Sequence, residues 1–245
     1  MTYRQITLLF LLPLVAAAFG CTSSKNESDL LDQLANLDKE TIYEQAEQLY
    51  SEKDFRKARD LFSFVYDTFP NDPLGHKAAL RVADTYVAKT DVTSLTEARL
   101  RYRDFANRYP NDPDRDYALL MVGQTFSARK LRPDRDLSDI QEALAAYQQL
   151  INLYPNSDYL PDAEERVHDL RELLAEHEWL VANFYRRNRQ YLGAMWRLEY
   201  IQENYPNYSQ IALVDEQIGS LKTLIDEREA AWKKQLEELK KESED

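Results

Sequence analysis

Four copies of one short motif constrain the fold of this 245-residue chain most strongly. Each copy is an aromatic residue followed by proline and asparagine, and the copies begin at Phe69, Tyr109, Tyr154 and Tyr205. An alanine lies 12 residues before each proline, and a large apolar residue follows each alanine four positions later. The alanines are Ala58, Ala98, Ala143 and Ala194, and the large residues are Phe62, Tyr102, Tyr147 and Leu198. Internal repetition of this kind predicts an array of similar structural units.

The spacing within each unit indicates helices. An alanine allows two helices to cross closely, a large residue one turn later fills the space beside the crossing, and proline ends the helix. In the first and fourth units a second alanine, Ala46 or Ala182, lies 12 residues before the first. The whole chain has only five glycines, which are too few for the tight turns of an all-β protein. We therefore predict an all-α fold.

These offsets resemble the tetratricopeptide repeat, a helix–turn–helix unit of about 34 residues. The resemblance implies a helical-repeat solenoid of about five helix pairs, the last one atypical. In the third unit, Gly123 takes the place of the first of the two small residues, and an insert follows at residues 132–136. Residues 161–187 then predict one long helix, and residues 226–245 a charged helical stretch with Trp232, Leu236 and Leu239 on one face. The predicted apolar face of the long helix is Ala163, Val167, Leu170, Leu174, Val181 and Phe184.

The first 20 residues are typical of a secretory signal. The apolar run at residues 6–19 is too short for a membrane span of about 20 residues, and it is followed by the small residue Gly20 and then by Cys21, the only cysteine. This arrangement resembles the lipobox of bacterial lipoproteins, which implies a diacylated Cys21; ordinary cleavage with a free thiol is the alternative. The predicted segments are a signal peptide (1–20), a lipidated cysteine and tether (21–28), repeats one to three (29–157), and a long connecting helix, repeat four and charged C-terminal helix (158–245). Thr22, where aspartate would signal inner-membrane retention, favours the outer membrane.

Composition and motifs argue against several functions. The formal net charge of −12 opposes binding to nucleic acid, and no catalytic or phosphate-binding motif occurs. We therefore expect neither enzymatic activity nor a cofactor. His168, Glu172 and Glu176 share one helical face and could in principle bind a metal, but we interpret them as part of a solvated helix surface rich in charged residues.

Repeat arrays of this kind bind partners in a groove lined by the first helix of each unit. The groove positions of the repeat type fall on Tyr43, Glu47 and Tyr50; on Leu80, Asp84 and Val87; on Leu120, Gln124 and Ser127; and on Trp179, Asn183 and Arg186. Aromatic residues combine apolar area with a polar tip and suit the recognition of extended peptides. The alternative is that the aromatic residues pack against neighbouring helices.

Four segments resemble the BamD family of outer-membrane assembly lipoproteins. They are Asp134-Arg135-Asp136, Tyr154-Pro155-Asn156-Ser157, the 170–185 helix with its segment from Trp179 to Tyr185, and Ala194-x-x-Arg197-x-Glu199 before Tyr205-Pro206. The resemblance implies a non-catalytic protein on the periplasmic face of the outer membrane, with no metal. Its implied partners are the barrel-shaped, BamA-like insertase, accessory lipoproteins and unfolded outer-membrane proteins.

The resemblance also implies a division of labour along the chain. The C-terminal units, with Arg197, Trp179 and Arg186, would bind the insertase, and the N-terminal units, with Tyr43, Glu47, Tyr50, Asp84 and Gln124, would receive substrates. The long charged C-terminal stretch departs from the family pattern, which leaves the accessory partner there undefined. The alternative function is another periplasmic repeat lipoprotein that coordinates cell-envelope or peptidoglycan factors.

Overall fold

A computed structural model describes residues 37–128, 132–134 and 136–242. These residues form nine α-helices and no strand: α1 (Lys39–Ser51), α2 (Phe55–Thr68), α3 (Pro73–Val87), α4 (Val92–Arg108), α5 (Arg115–Ser127), α6 (Ser138–Leu153), α7 (Leu160–Arg187), α8 (Tyr191–Asn204) and α9 (Ile211–Glu242). The predicted signal peptide, Cys21 and the tether lie outside the described residues.

Each helix packs mainly against the helices directly before and after it. The helices therefore form four successive pairs, α1/α2 to α7/α8, with α9 added at the end. The all-α helical-repeat prediction is confirmed, and the atypical last unit is the single helix α9. No helix in the described part of the chain is both long enough and apolar enough to cross a membrane.

The repeated alanines lie where helices cross, as the spacing predicts. All four alanines and all four large residues that follow them are fully buried. The aromatic residue of each motif comes directly after a helix, and its backbone N–H donates to the carbonyl oxygen four residues earlier. Its ψ angle lies between 55° and 68° because the following proline disfavours the helical conformation.

The buried residues form three cores along the solenoid. The N-terminal core includes Ile42, Phe62 and Val82; the central core includes Tyr102, Tyr147 and Leu174; and the C-terminal core includes Ala175, Leu198 and Leu221. Tyr86 packs against the first two cores and Tyr205 against the last two. The cores thus follow one another along the chain, as in repeat arrays whose units contact mainly their neighbours.

Helix α7 serves two cores, and this corrects part of its predicted face. Its first half buries Leu170 and Leu174 in the central core, and its second half buries Ala175 and Ala182 in the C-terminal core. Phe184, predicted to be buried, is 57% exposed. The buried face shifts because the first part of α7 packs into the central core with α6, whereas the second part packs into the C-terminal core with α8 and α9. The predicted boundary after residue 157 falls in the loop before α7, while the two cores meet inside it.

The space beside Gly123 is closed by a neighbouring ring. A Cβ atom at this position would lie 2.5 Å from two carbons of the Tyr147 ring, whereas one at Gly219 in α9 would meet nothing within 4 Å. We expect Gly123→Ala to lower the free energy of unfolding by about 1–3 kcal/mol through overpacking. Gly219→Ala should raise it by up to about 1 kcal/mol, because alanine favours the helix.

Urea denaturation of the two variants provides the measurement. The matched pair separates local crowding from the general effect of removing a glycine, since both positions lie within helices. Equal stabilisation of both variants would show that Tyr147 moves aside and that the crossing is not tightly packed.

Candidate partner-binding surfaces

A bidentate ion pair links the first helices of the first two repeats. The Arg81 guanidinium in α3 donates from Nε and Nη2 to the two carboxylate oxygens of Glu47 in α1, both at 2.6 Å. The same guanidinium lies 4.8 Å from the centre of the Tyr50 ring, within cation–π range. Glu47, Arg81 and Tyr50 therefore form one connected polar and aromatic surface on the predicted groove.

Asp84 is the centre of a buried hydrogen-bond cluster beneath this surface. Its side chain is 6% exposed, and it accepts hydrogen bonds from the hydroxyls of Tyr102 at 2.5 Å and Tyr117 at 2.9 Å. Arg81 Nη1 donates to the other carboxylate oxygen at 3.1 Å. Burial, together with the nearby negative charge of Asp84, raises the pKa of both tyrosine hydroxyls. Both tyrosines therefore remain neutral donors, and Asp84 holds α3, α4 and α5 in register.

The burial of Asp84 corrects the sequence-based view of the groove. Asp84, Leu80 and Leu120 are all buried, so none of them presents a surface to a partner. Leu80 and Leu120 belong to the central core, and Asp84 positions the tyrosines and Arg81. The repeat register identified the correct helices, but it predicted that these three side chains are exposed, whereas all three are buried.

Other predicted groove residues are partly exposed. Tyr43 and Tyr50 are half-buried and make edge-to-face contacts with Phe62 and Phe55, with ring centres 5.3 Å apart in each pair. Gln124 in α5 donates to Asp162 in α7 at 3.3 Å. The remaining positions, Val87 and Ser127, are half-buried, and Ser127 bonds to backbone within α5 and to the Tyr147 hydroxyl. The aromatic residues thus pack against neighbours and still expose part of each ring.

Two groove residues, Arg81 and Tyr117, were not predicted. A signal for them was present in the chain, because Arg81 lies 34 residues after Glu47 and Tyr117 lies 33 residues after Asp84. The members of each pair lie on the first helices of neighbouring units but not at equivalent positions, because the register aligns Glu47 with Asp84 and Asp84 with Gln124. A search for donor–acceptor pairs roughly one repeat apart, rather than at one fixed offset, would have found both contacts.

The C-terminal candidates lie on α7 and α8. Arg197 in α8 donates to Glu178 in α7 at 2.8 Å; the Arg197 side chain remains 41% exposed, whereas that of Glu178 is largely buried. Trp179 is half-buried against the C-terminal core, and Arg186 is exposed and donates to Asn183 at 3.2 Å. The structure therefore brings Arg197 into an ion pair within the chain while leaving part of it accessible.

An exposed apolar stripe on α8 was not predicted. Leu192, Trp196 and Tyr200 are spaced four residues apart on one helical face, and all three are exposed, Trp196 to 79%. We call these three residues the α8 stripe. It adjoins Arg197 in sequence, and its tryptophan and tyrosine are residue types that dominate binding energy at protein interfaces.

The carboxylates of the possible metal site make structural contacts instead. Glu172 accepts from the Ser209 backbone N–H at 2.9 and 3.2 Å, and Glu176 accepts from the Tyr208 hydroxyl. Both bonds hold the segment before α9 against α7. In the described part of the chain, no three His, Cys, Asp or Glu side chains are grouped closely enough to hold a metal ion.

Comparison with known proteins identifies the family. A family model described as YfiO, outer membrane lipoprotein, matches residues 35–234. The chain belongs to the YfiO/BamD family. The matched region contains α1 to α8 completely and ends inside α9, so Leu236 and Leu239 lie past it.

Relatives within the BamD family come from several bacteria. The chain is 26% identical to a protein of Vibrio cholerae serotype O1, over 84% of this chain and 85% of the relative. It is 24% identical to a protein of Haemophilus influenzae, over 83% and 78% of the two chains, and 28% identical to one of Neisseria meningitidis serogroup A, over 69% and 66%. Each relative is named outer membrane protein assembly factor BamD.

Proposed function

We propose that this protein is a non-catalytic scaffold subunit of the machinery that assembles β-barrel proteins in the outer membrane. The observation that supports the proposal most is the family match across α1 to α8, with relatives that are named as assembly factors. In this proposal a lipid on Cys21 anchors the chain to the periplasmic face of the outer membrane. The partners are the BamA-like insertase, accessory lipoproteins and unfolded outer-membrane proteins.

The C-terminal end is the proposed insertase-binding surface. An exposed tryptophan flanked by leucine and tyrosine one turn away on either side is an apolar patch that a partner would cover favourably. Arg197 and Arg186 supply positive charge, and Trp179 on α7 packs against the C-terminal core. Tryptophan, tyrosine and arginine are the commonest residues that carry binding energy at such interfaces.

The N-terminal groove is the proposed site for substrate segments. The exposed parts of Tyr43 and Tyr50 offer apolar area with hydroxyl groups, while Glu47 and Gln124 offer polar contacts. Because Arg81 is already bonded to Glu47 and Asp84, its charge is balanced within the groove. The surface therefore suits extended segments that carry aromatic side chains.

The α8 stripe gives the proposal its first test. We expect Leu192→Ala/Trp196→Ala to reduce recovery of the insertase with the tagged protein from detergent-solubilised outer membranes by about tenfold or more, because interface hot spots cost at least about 2 kcal/mol when truncated. Leu100→Ala/Leu153→Ala removes two exposed leucines from α4 and α6 and serves as the control. Recovery of no barrel protein by the unmodified chain would refute the proposal, and recovery of peptidoglycan-binding factors instead would favour the alternative function.

Arg197 needs a second design because it is paired within the chain. Arg197→Glu should weaken recovery of the insertase, but it also places two negative charges together at Glu178. The double variant Arg197→Glu/Glu178→Arg restores the ion pair between α7 and α8 while keeping the reversed charge at position 197. Recovery that stays low in the double variant indicates direct contact of Arg197 with the partner. Full rescue would show that Arg197 acts only by holding α8 on α7.

A further inference from the structure

One contact between an arginine and an aromatic ring occurs twice, 40 residues apart, on neighbouring repeats. The Arg59 guanidinium in α2 lies 3.7 Å from the centre of the Tyr86 ring in α3. The Arg99 guanidinium in α4 lies 4.0 Å from the centre of the Phe126 ring in α5. Each arginine directly follows a repeat alanine, so the two occupy equivalent positions on second helices. In both cases, a second helix presents an arginine to the first helix of the next unit.

A further arginine of α4 approaches each ring. Arg101 lies 5.2 Å from the centre of the Tyr86 ring, and Arg103 lies 5.9 Å from the centre of the Phe126 ring. Both distances are within cation–π range, so each ring is contacted by two guanidinium groups. We call these two groups the first arginine cluster (Arg59, Arg101 and Tyr86) and the second arginine cluster (Arg99, Arg103 and Phe126).

The α4 arginine nearer the surface in each cluster has a carboxylate nearby. Arg101 Nε lies 4.0 Å from Glu97, and Arg103 Nη2 lies 3.5 Å from Glu142. All four side chains are at least 41% exposed, and exposed ion pairs of this kind contribute little. These two arginines are therefore only weakly held by charges within the chain.

The other arginine of each cluster has no carboxylate partner in the described part of the chain. Arg59 donates from Nε to the Thr85 hydroxyl at 2.8 Å and from Nη2 to the Thr85 carbonyl oxygen at 3.3 Å. Arg99 donates from Nη2 to the Thr96 hydroxyl at 3.5 Å. A guanidinium has more N–H groups than these bonds use, so unused donors remain on both arginines. The positive charges at each ring repel one another, and an anion bound between them would relieve that repulsion.

We infer that the two arginine clusters together form a binding site for an extended acidic peptide segment of a partner protein. Carboxylates bind guanidinium groups through paired, charge-assisted hydrogen bonds. Consecutive helices pack about 8–10 Å apart, so equivalent places two helices apart are separated by at most about 20 Å. An extended chain covers this distance with about six residues. One segment with acidic side chains at both ends therefore contacts both clusters, and the first contact strengthens the second.

The charge around the clusters favours a narrow segment over an anionic membrane surface. Helices α2 and α4 together contain seven basic and four acidic residues, in a chain whose formal net charge is −12. Asp60 and Asp104, both exposed, lie on these same helices. A broad anionic surface would meet the acidic residues as well as the arginines, whereas an extended segment follows the arginines. The arginines lie on second helices, so this site is additional to the proposed substrate groove on the first helices.

Fluorescence anisotropy with a labelled peptide tests the inference. The probe contains two Glu-Asp-Glu triplets joined by a Gly-Ser-Gly-Ser linker, and it is added to the purified full-length chain in neutral detergent at low salt. We expect Arg59→Gln/Arg99→Gln to weaken binding by about tenfold or more, because hydrogen bonds between charged groups are strong. Lys233→Gln/Lys234→Gln removes the same charge from two exposed lysines of α9 and should bind the probe normally. No binding of the probe, or equal weakening by both variants, would overturn the inference.

A second variant separates binding from support of the fold, since Arg59 and Arg99 also pack on rings. Arg101→Gln/Arg103→Gln removes the more distant arginine of each cluster and leaves those closer contacts in place. It should weaken binding of the probe severalfold while unfolding at the same urea concentration as the unmodified chain. Normal binding of the probe by this variant would show that the clusters serve only to join the repeats.

Two further measurements test the shape and the source of the ligand. A peptide with one triplet replaced by Gln-Asn-Gln should bind the unmodified chain about tenfold more weakly than the full probe, because it engages one cluster only. Equal affinity for the two peptides would show that the clusters do not act together. Phosphatidylglycerol added to the detergent micelles should leave the probe bound. Displacement of the probe by this lipid would assign the arginines to a membrane surface instead.

Discussion

Replacing Asp84 with alanine is expected to lower the free energy of unfolding by about 3 kcal/mol or more. The change removes the acceptor of the Tyr102 and Tyr117 hydroxyls and one of the two carboxylates that bind Arg81. Each buried polar group left without a partner costs about 1–3 kcal/mol, and Tyr102 is the most deeply buried of the three side chains. Urea denaturation followed by circular dichroism provides the measurement.

Two further variants separate the causes. Asp84→Asn retains an acceptor oxygen of similar shape and should cost less than Asp84→Ala. Tyr117→Phe in the Asp84→Ala background should be nearly neutral, because the hydroxyl it removes has already lost its acceptor. If Asp84→Ala unfolds at the same urea concentration as the unmodified chain, the cluster does not hold α3, α4 and α5 together.

In the proposed function, the same substitution should also weaken the binding of substrate segments, although Asp84 itself is buried beneath the groove. Arg81 would keep its hydrogen bonds to Glu47 but lose its hydrogen bond to the buried Asp84. Tyr50, which lies against the Arg81 guanidinium, would then be less firmly placed. In the proposed function, Asp84 is thus a positioning residue rather than a contact residue.

The second large effect concerns the separation of the cores. Phe62→Ala should cost about 3–5 kcal/mol and Leu198→Ala about 2–5 kcal/mol, because both side chains are fully buried. Repeat arrays lose stability unit by unit rather than uniformly. We therefore expect amide exchange to rise mainly in α1 to α3 for Phe62→Ala, and mainly in the second half of α7 and in α8 and α9 for Leu198→Ala.

Hydrogen exchange read by mass spectrometry distinguishes these patterns. The two variants control for each other, since each removes one large buried side chain from a different core. Equal increases along the whole chain for both variants would contradict the division into cores and show that the solenoid unfolds as one cooperative unit.

The repeat register was predictable from the sequence because it depends on local chemistry. Proline ends helices through its own backbone, and alanine allows close crossing through its own size. Helix α7 was predicted for the same reason, since its apolar spacing is continuous from Ala163. The burial of its second half was partly mispredicted, because whether Phe184 is covered depends on where α8 packs.

Exposure in the groove was harder to predict than register. The repeat offsets define a position around each first helix, but the neighbouring repeat decides whether that position is covered. Leu80 and Asp84 lie on the same helix as Arg81, which is partly exposed. Adjacent units nevertheless bury both Leu80 and Asp84. The α8 stripe was missed for the opposite reason: its apolar residues look like core residues in sequence, and only the structure shows that no helix in the described part of the chain covers them.

The two halves of the molecule are joined through one rigid rod. Helix α7 has 28 residues, about 42 Å in length, and its middle also receives a bond from the loop before α6, where the Pro133 carbonyl meets His177 Nδ1 at 2.5 Å. A tilt of about 10° at the C-terminal end of such a rod moves its other end by about 7 Å. In the proposed function, a partner that reorients α8 would therefore also move the N-terminal groove, so that binding of the insertase at one end is coupled to binding of a substrate segment at the other.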